Sequence, residues 1–143
     1  MVISKICTFI DLNQTNNLFP YPMKLLICEH EDVLLTALQF RLNKKNHELI
    51  LAKDGAEASQ ALLNSNPDVV ITELDLPKTS GGELLDLAQK KVDPNLPFII
   101  IADIERGDQI LELLDKGARD FLIKPFNPNE LLLRIEKIKQ EQK

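Results

Sequence analysis

The chain has 143 residues, 44% hydrophobic and 27% charged, with a formal net charge of -5. This suits one domain with a real core, and an acidic balance with no basic run argues against a nucleic-acid footprint. No apolar stretch reaches the about 18 residues of a membrane span, and two cysteines, Cys7 and Cys28, make no disulfide framework, so a reducing, cytoplasmic setting is expected.

Residues 1–22 read as an N-terminal extension or linker, and residues 23–143 as the domain. Residues 1–12 are mildly apolar but interrupted by Lys5 and Asp11, and they lack the form of a signal peptide. Residues 2–10 read as a short strand or a tail. The stretch from Asn13 to Pro22 is polar and ends Phe-Pro-Tyr-Pro.

From Met23 onward, five apolar runs alternate with amphipathic stretches. The runs cover residues 25–28, 49–52, 69–72, 98–102 and 121–123. They are continuous rather than alternating, as in strands buried on both faces of a parallel sheet. Cys28 lies inside the first run and is expected to be a buried thiol. His47, before the second run, is expected to be exposed.

The stretches between the runs carry helical stripes: Leu34, Leu38 and Leu42 with Ala37 beside them; Ala58, Ala61 and Leu62; Leu84, Leu87 and Ala88; Ile110, Leu113 and Leu114; and Leu131, Ile135 and Ile138. Asp54 with Glu57, Ser80 with Glu83, and Asn127 with Glu130 have the spacing of reciprocal helix caps. Pro128 suits a first helical turn, and Gly117 a left-handed C-terminal cap.

Alternating strands and helices with short links predict an α/β domain with helices on both faces of a parallel sheet. Ligands of such sheets sit beyond the carboxyl ends of the strands. The residues there are Glu29, His30, Glu31 and Asp32 after the first strand, Glu73, Leu74 and Asp75 after the third, Ala102 and Asp103 after the fourth, and Lys124-Pro125 after the fifth.

Residues 23–141 resemble a two-component response-regulator receiver domain in a degenerate, pseudo-receiver form. The resemblance lies in Lys24-Leu25-Leu26-Ile27-Cys28-Glu29-His30-Glu31, in residues 67–77 and Gly81, in residues 97–101, and in residues 117–126 ending Lys124-Pro125-Phe126. It implies the flavodoxin-like fold, a doubly wound five-stranded parallel sheet in the order 2-1-3-4-5. It also admits a cis bond before Pro125.

The family's working parts are two acids after strand one, an acceptor aspartate after strand three, a Ser or Thr after strand four and a lysine after strand five, with Mg2+ among the carboxylates. Carried over by position, Glu29 keeps the first acid and His30 replaces the second. Glu73 stands at the phosphoacceptor position, Ala102 replaces the hydroxyl residue, Phe121 takes the aromatic switch position and Lys124 is retained. An imidazole is a poor Mg2+ ligand, Glu73 is one methylene too long for in-line transfer, and Ala102 donates nothing.

The expectation is therefore a phosphorylation-independent interaction module, not an enzyme, with no resident cofactor and weak or absent Mg2+ binding. A protonated His30, paired with Glu29 or Glu73, would stand in for the metal, with Zn2+ or Ni2+ at the same residues as the weaker alternative. Asp75 reads as a surface carboxylate rather than a substitute acceptor.

A protein partner, another signalling protein or a second copy in a homodimer, is expected on the face of helix four, strand five and helix five. That face includes Arg106, Gln109, Arg119, Phe121 and Arg134. Direct nucleic-acid or membrane contact is not expected. The alternatives are an authentic Mg2+-dependent phospho-receiver of a phosphorelay, or the receiver part of a longer DNA-binding regulator or sensor kinase.

Overall fold

A computed structural model describes residues 22–45 and 47–141. The expected strand within residues 2–10, and Cys7, lie outside them. Five strands and five helices alternate: β1 Lys24–Cys28, α1 Asp32–Asn43, β2 Glu48–Ala52, α2 Gly55–Ser65, β3 Val69–Glu73, α3 Gly81–Lys91, β4 Phe98–Ala102, α4 Gly107–Lys116, β5 Asp120–Ile123 and α5 Pro128–Glu141. A short 3-10 turn, Ile104–Arg106, precedes α4. All strand pairs are parallel, in the order β2-β1-β3-β4-β5.

The continuous apolar runs are explained by the two faces of the sheet. Leu26, Cys28, Val70, Ile100 and Ala102 pack with Ala58, Leu62, Leu84, Ala88, Ile110 and Leu113 of α2, α3 and α4. Their alternating neighbours Leu25, Ile27, Val69, Ile71, Ile99 and Ile101 pack with Leu35, Leu38 and Leu42 of α1 and Leu131, Ile135 and Ile138 of α5. Neither face of the central strands β1, β3 and β4 is left to water, so their apolar runs are continuous rather than alternating.

Several local expectations need correction. The buried stripe of α1 is Leu35, Leu38 and Leu42; Leu34 is half-buried and Ala37 exposed. A spacing of three then four follows the 3.6-residue turn better than a strict four. In α3, Leu85 is buried alongside Leu84 and Ala88, while Leu87 is half-buried.

His47 is buried rather than exposed, because its Nδ1 accepts the Met23 N–H at 3.3 Å where the chain enters β1. Burial holds its pKa below the ordinary value, with nearby Lys139 acting the same way and Glu136 against it.

Of the three expected caps, Ser80 and Glu83 form the complete reciprocal pair. Asp54 accepts the Glu57 N–H at 2.9 Å, but Glu57 reaches back to the N–H of Lys53 instead. Asn127 takes the Asn129 N–H on its side chain, and its own carbonyl accepts from Glu130. Gly117 has φ 119°, the left-handed cap expected of it.

Candidate functional site

The register places four chain turns at one edge of the sheet. Glu29 leaves β1 with its N–H donated to the Ala52 carbonyl at 3.0 Å. Glu73 is the last residue of β3, so its backbone is fixed by the ladder to Ile101 of β4. Lys124 leaves β5 with its N–H on the Ala102 carbonyl at 2.9 Å, and its bond to Pro125 is cis. Gly81 opens α3 against this edge: a Cβ there would lie 2.8 Å from the Glu73 carbonyl oxygen. Only glycine permits that approach.

The side chains converge. Lys124 Nζ donates to Glu29 Oε2 at 3.1 Å, Glu31 Oε1 at 2.6 Å and Glu73 Oε2 at 3.2 Å. The other Glu73 oxygen accepts the His30 backbone N–H at 2.6 Å and also pairs with His30 Nδ1. The Glu31 N–H turns back onto Glu29 Oε2 at 3.1 Å. Glu29 is 0% exposed and Glu73 4% exposed. Glu29 Oε1 is buried without a hydrogen-bond partner. One donor atom from each of Glu29, His30 and Glu73 lies within 4.8 Å of the others.

These contacts set the protonation equilibria. Burial pushes the Glu29 carboxyl above its ordinary range, helped by the Glu73 charge and opposed by the Glu31 N–H and Lys124. The bond to Glu73 raises the His30 pKa, with burial opposing and the charges of Glu73 and Glu29 reinforcing it. Lys124 is pulled down by burial, but bonds to Glu31 and Glu29 and the charges of Glu29 and Glu73 outweigh this and hold it well above its ordinary value. Glu31, on the rim, is held low by its bond to Lys124.

Glu29, His30, Glu73 and Lys124 are thus brought together as the sequence implied. Ala102 is buried at the tip of β4. Phe121 is half-buried beside Ile100 and packs on the core under α2, α3 and α4. Glu31 is the residue whose role the sequence understated: it makes the shortest bond to Lys124. Its signal was its place two residues after Glu29 in the same turn.

The basic residues of the α4–β5–α5 side have acid partners within the chain. Arg106 grips Asp75 through Nε at 2.9 Å and Nη2 at 2.6 Å. Arg119 meets Glu141 at 2.6 Å, and Arg134 meets Asp120 at 3.4 Å. Gln109 is exposed. Among the described residues no helix is long and apolar enough to cross a membrane.

The family profile of the response regulator receiver domain matches residues 25–136. The alkaline phosphatase synthesis transcriptional regulatory protein PhoP of Bacillus subtilis is 33% identical over 117 residues, covering 80% of this chain and 48% of that protein. The chain spans about half or less of the length of the curated relatives it matches. The receiver domain of the Francisella response regulator 1452 superposes with a TM-score of 0.77 at 26% identity, over 85% of this chain and 99% of that one. A CheY-like receiver domain protein from Methanospirillum hungatei JF-1 shares the fold, with a TM-score of 0.79 at 24% identity, covering 85% of this chain and 97% of that one.

Proposed function

Because this chain belongs to the response regulator receiver domain family, we propose that it is a cytoplasmic signalling module whose output does not depend on phosphorylation at Glu73. One observation carries this reading: both Glu73 oxygens are already engaged, one by His30 and the other by Lys124, on a nearly buried carboxylate. A phosphoryl donor needs in-line access to that oxygen and a lysine free to meet the incoming charge. Asp75 offers no ready substitute, since Arg106 holds both of its oxygens.

The family implies Mg2+ among its carboxylates. The donor set here fits it badly. Mg2+ demands near-octahedral oxygen ligands, whereas this cluster presents an imidazole at one of three positions and the Lys124 ammonium across both acids. Ala102 supplies no hydroxyl that could follow a phosphoryl group and move Phe121. The chain is read as a non-enzyme without a resident Mg2+.

Its output is contact with a protein, a signalling partner or a second copy, on the α4–β5–α5 face. Ile104 and Leu111 are exposed there. The test exposes the full chain to a small acyl phosphate with Mg2+, followed by intact mass, and to beryllofluoride, followed by amide NMR. No mass gain and no shifts running from Glu73 to Phe121 are expected. Stoichiometric phosphorylation would overturn the reading in favour of an authentic phospho-receiver.

A further inference from the structure

We propose that the N-terminal segment of this chain, residues 2–10, docks on the outward side of α1 and α5 in the same molecule. This goes beyond the signalling reading above and does not depend on it.

The surface is the first argument. Val33, Ala37 and Phe40 follow one another at i, i+4 and i+7 on α1, turned away from the buried Leu35, Leu38 and Leu42. Val33 is 86% exposed and Phe40 63%, even with Lys44 Nζ 4.3 Å from the centre of its ring. α5 packs beside α1 on the same face of the sheet. Its Leu133, 70% exposed, points away from the buried Leu131, Ile135 and Ile138 in the same manner. Apolar side chains gathered on an outer helix face mark a contact surface.

The occupant follows from where the chain enters. Residues 1–21 precede the described part, and Pro22 is exposed. Met23 donates its N–H to His47 Nδ1 at 3.3 Å. His47 in turn feels the charges of Lys45, just past α1, and of Glu136 and Lys139 in the last turns of α5. The segment therefore joins the domain at the foot of both helices. Residues 13–22 span about 33 Å when extended. The 12 residues of α1 rise only about 18 Å, so residues 2–10 can reach any point on this face.

The segment is built for such a surface. Val2, Ile3, Ile6, Phe9 and Ile10 recur at three- and four-residue spacings, with Ser4, Lys5 and Thr8 between them. In a helix these apolar residues share one side. Nine residues are too few for a helix that stands alone in water, so its apolar side needs a face to lie on. Lys5 is the only charged side chain among them, and docking strips little charge of water.

Size selects the chain's own segment over a second copy. A patch of four side chains is far smaller than the about 1,200 Å2 that a stable interface between separate molecules buries. A short tether holds the segment at an effective concentration of about a millimolar, where so small a contact is occupied.

A nitroxide on Thr8→Cys in a Cys7→Ser background, read by amide NMR of the full chain, tests this. Cys28 is buried and stays unlabelled. The amides of Val33, Ala37, Phe40 and Leu133 are expected to lose intensity, whereas those of Leu63 on α2 and Leu111 on α4, across the sheet, keep it. Ile6→Asp in the segment and Phe40→Ser at its exposed position are each expected to abolish the loss, with the other amide shifts of the domain unchanged.

Full intensity along α1 and α5, or a loss that survives either variant, would overturn the docking. Intensity loss in an isotope-labelled chain without nitroxide, mixed with an unlabelled chain that carries it, would overturn the intramolecular assignment in favour of a second copy.

Discussion

His30 touches Glu73 twice, through its backbone N–H and through its ring, and both contacts fall on the same carboxylate oxygen. The turn after β1 is thereby latched to the tip of β3, and Lys124 occupies the oxygen that remains. The site is closed by its own side chains.

Reopening it should take concerted change. The triple variant His30→Asp, Glu73→Asp and Ala102→Thr is expected to accept phosphate from a small acyl phosphate in the presence of Mg2+. Each single variant should remain about 100-fold or more below it, since misplacement of any one part is that costly. Intact mass spectrometry after timed incubation measures this, and a single variant matching the triple would contradict it.

Among the described residues, Lys124 is the only cation that meets all three carboxylates of the cluster. Lys124→Met strips the bonded ammonium from buried Glu29, and leaves Glu73 with His30 alone, a loss of about 3 kcal/mol at neutral pH. The Glu29 carboxyl is already raised by burial. In the variant, protonating it relieves the uncompensated charge, so part of the lost stability should return as pH falls. Urea unfolding at neutral and mildly acidic pH gives the comparison.

His47 sets a pH dependence of its own. Its folded-state pKa lies below the ordinary 6.5, because burial disfavours the charged ring. On acidification the unfolded chain therefore takes up the proton first. The stability tied to the neutral ring is fully present above about pH 6.5 and is lost as pH falls through the lower folded value. The urea midpoint of wild type should drop across this window more steeply than that of His47→Gln.

The Cys28 thiol is wholly buried, and burial pushes its pKa up to about 12. It should resist iodoacetamide at pH 8 in the native protein and react once urea unfolds it. Peptide mapping distinguishes it from Cys7.

Gly81→Ala should cost about 1–3 kcal/mol, since the new Cβ meets the Glu73 carbonyl oxygen at 2.8 Å and the Leu74 Cα at 3.2 Å. Thermal unfolding reads the loss. An unchanged midpoint would show that the start of α3 yields without strain.

How legible the molecule was in its sequence depends on what each feature required. β4 was readable to the residue, because five consecutive apolar positions have no other comfortable place. The edge carrying Glu29, Glu73 and Lys124 followed from strand order. The buried side of α1 was misjudged by one position, since Leu34 and Leu35 are both leucine and only packing against the sheet separates them. His47 looked exposed because its hydrogen-bond partner, the Met23 N–H, lies 24 residues away in the chain. The pairings of Lys124 with Glu31 and of Arg106 with Asp75 join residues 93 and 31 positions apart. No local pattern encodes such a choice among many nearby acids.

Lys124 ties the tips of β1 and β3 to the end of β5, and the order of the sheet makes this link pass across β4. It behaves as a rivet through a laminate, fastening layers that are not in direct contact. The carboxyl edge of the sheet should then open as one unit. The amides of His30, Leu74 and Lys124 should share a common hydrogen-exchange rate in wild type and separate into three rates once the rivet is withdrawn.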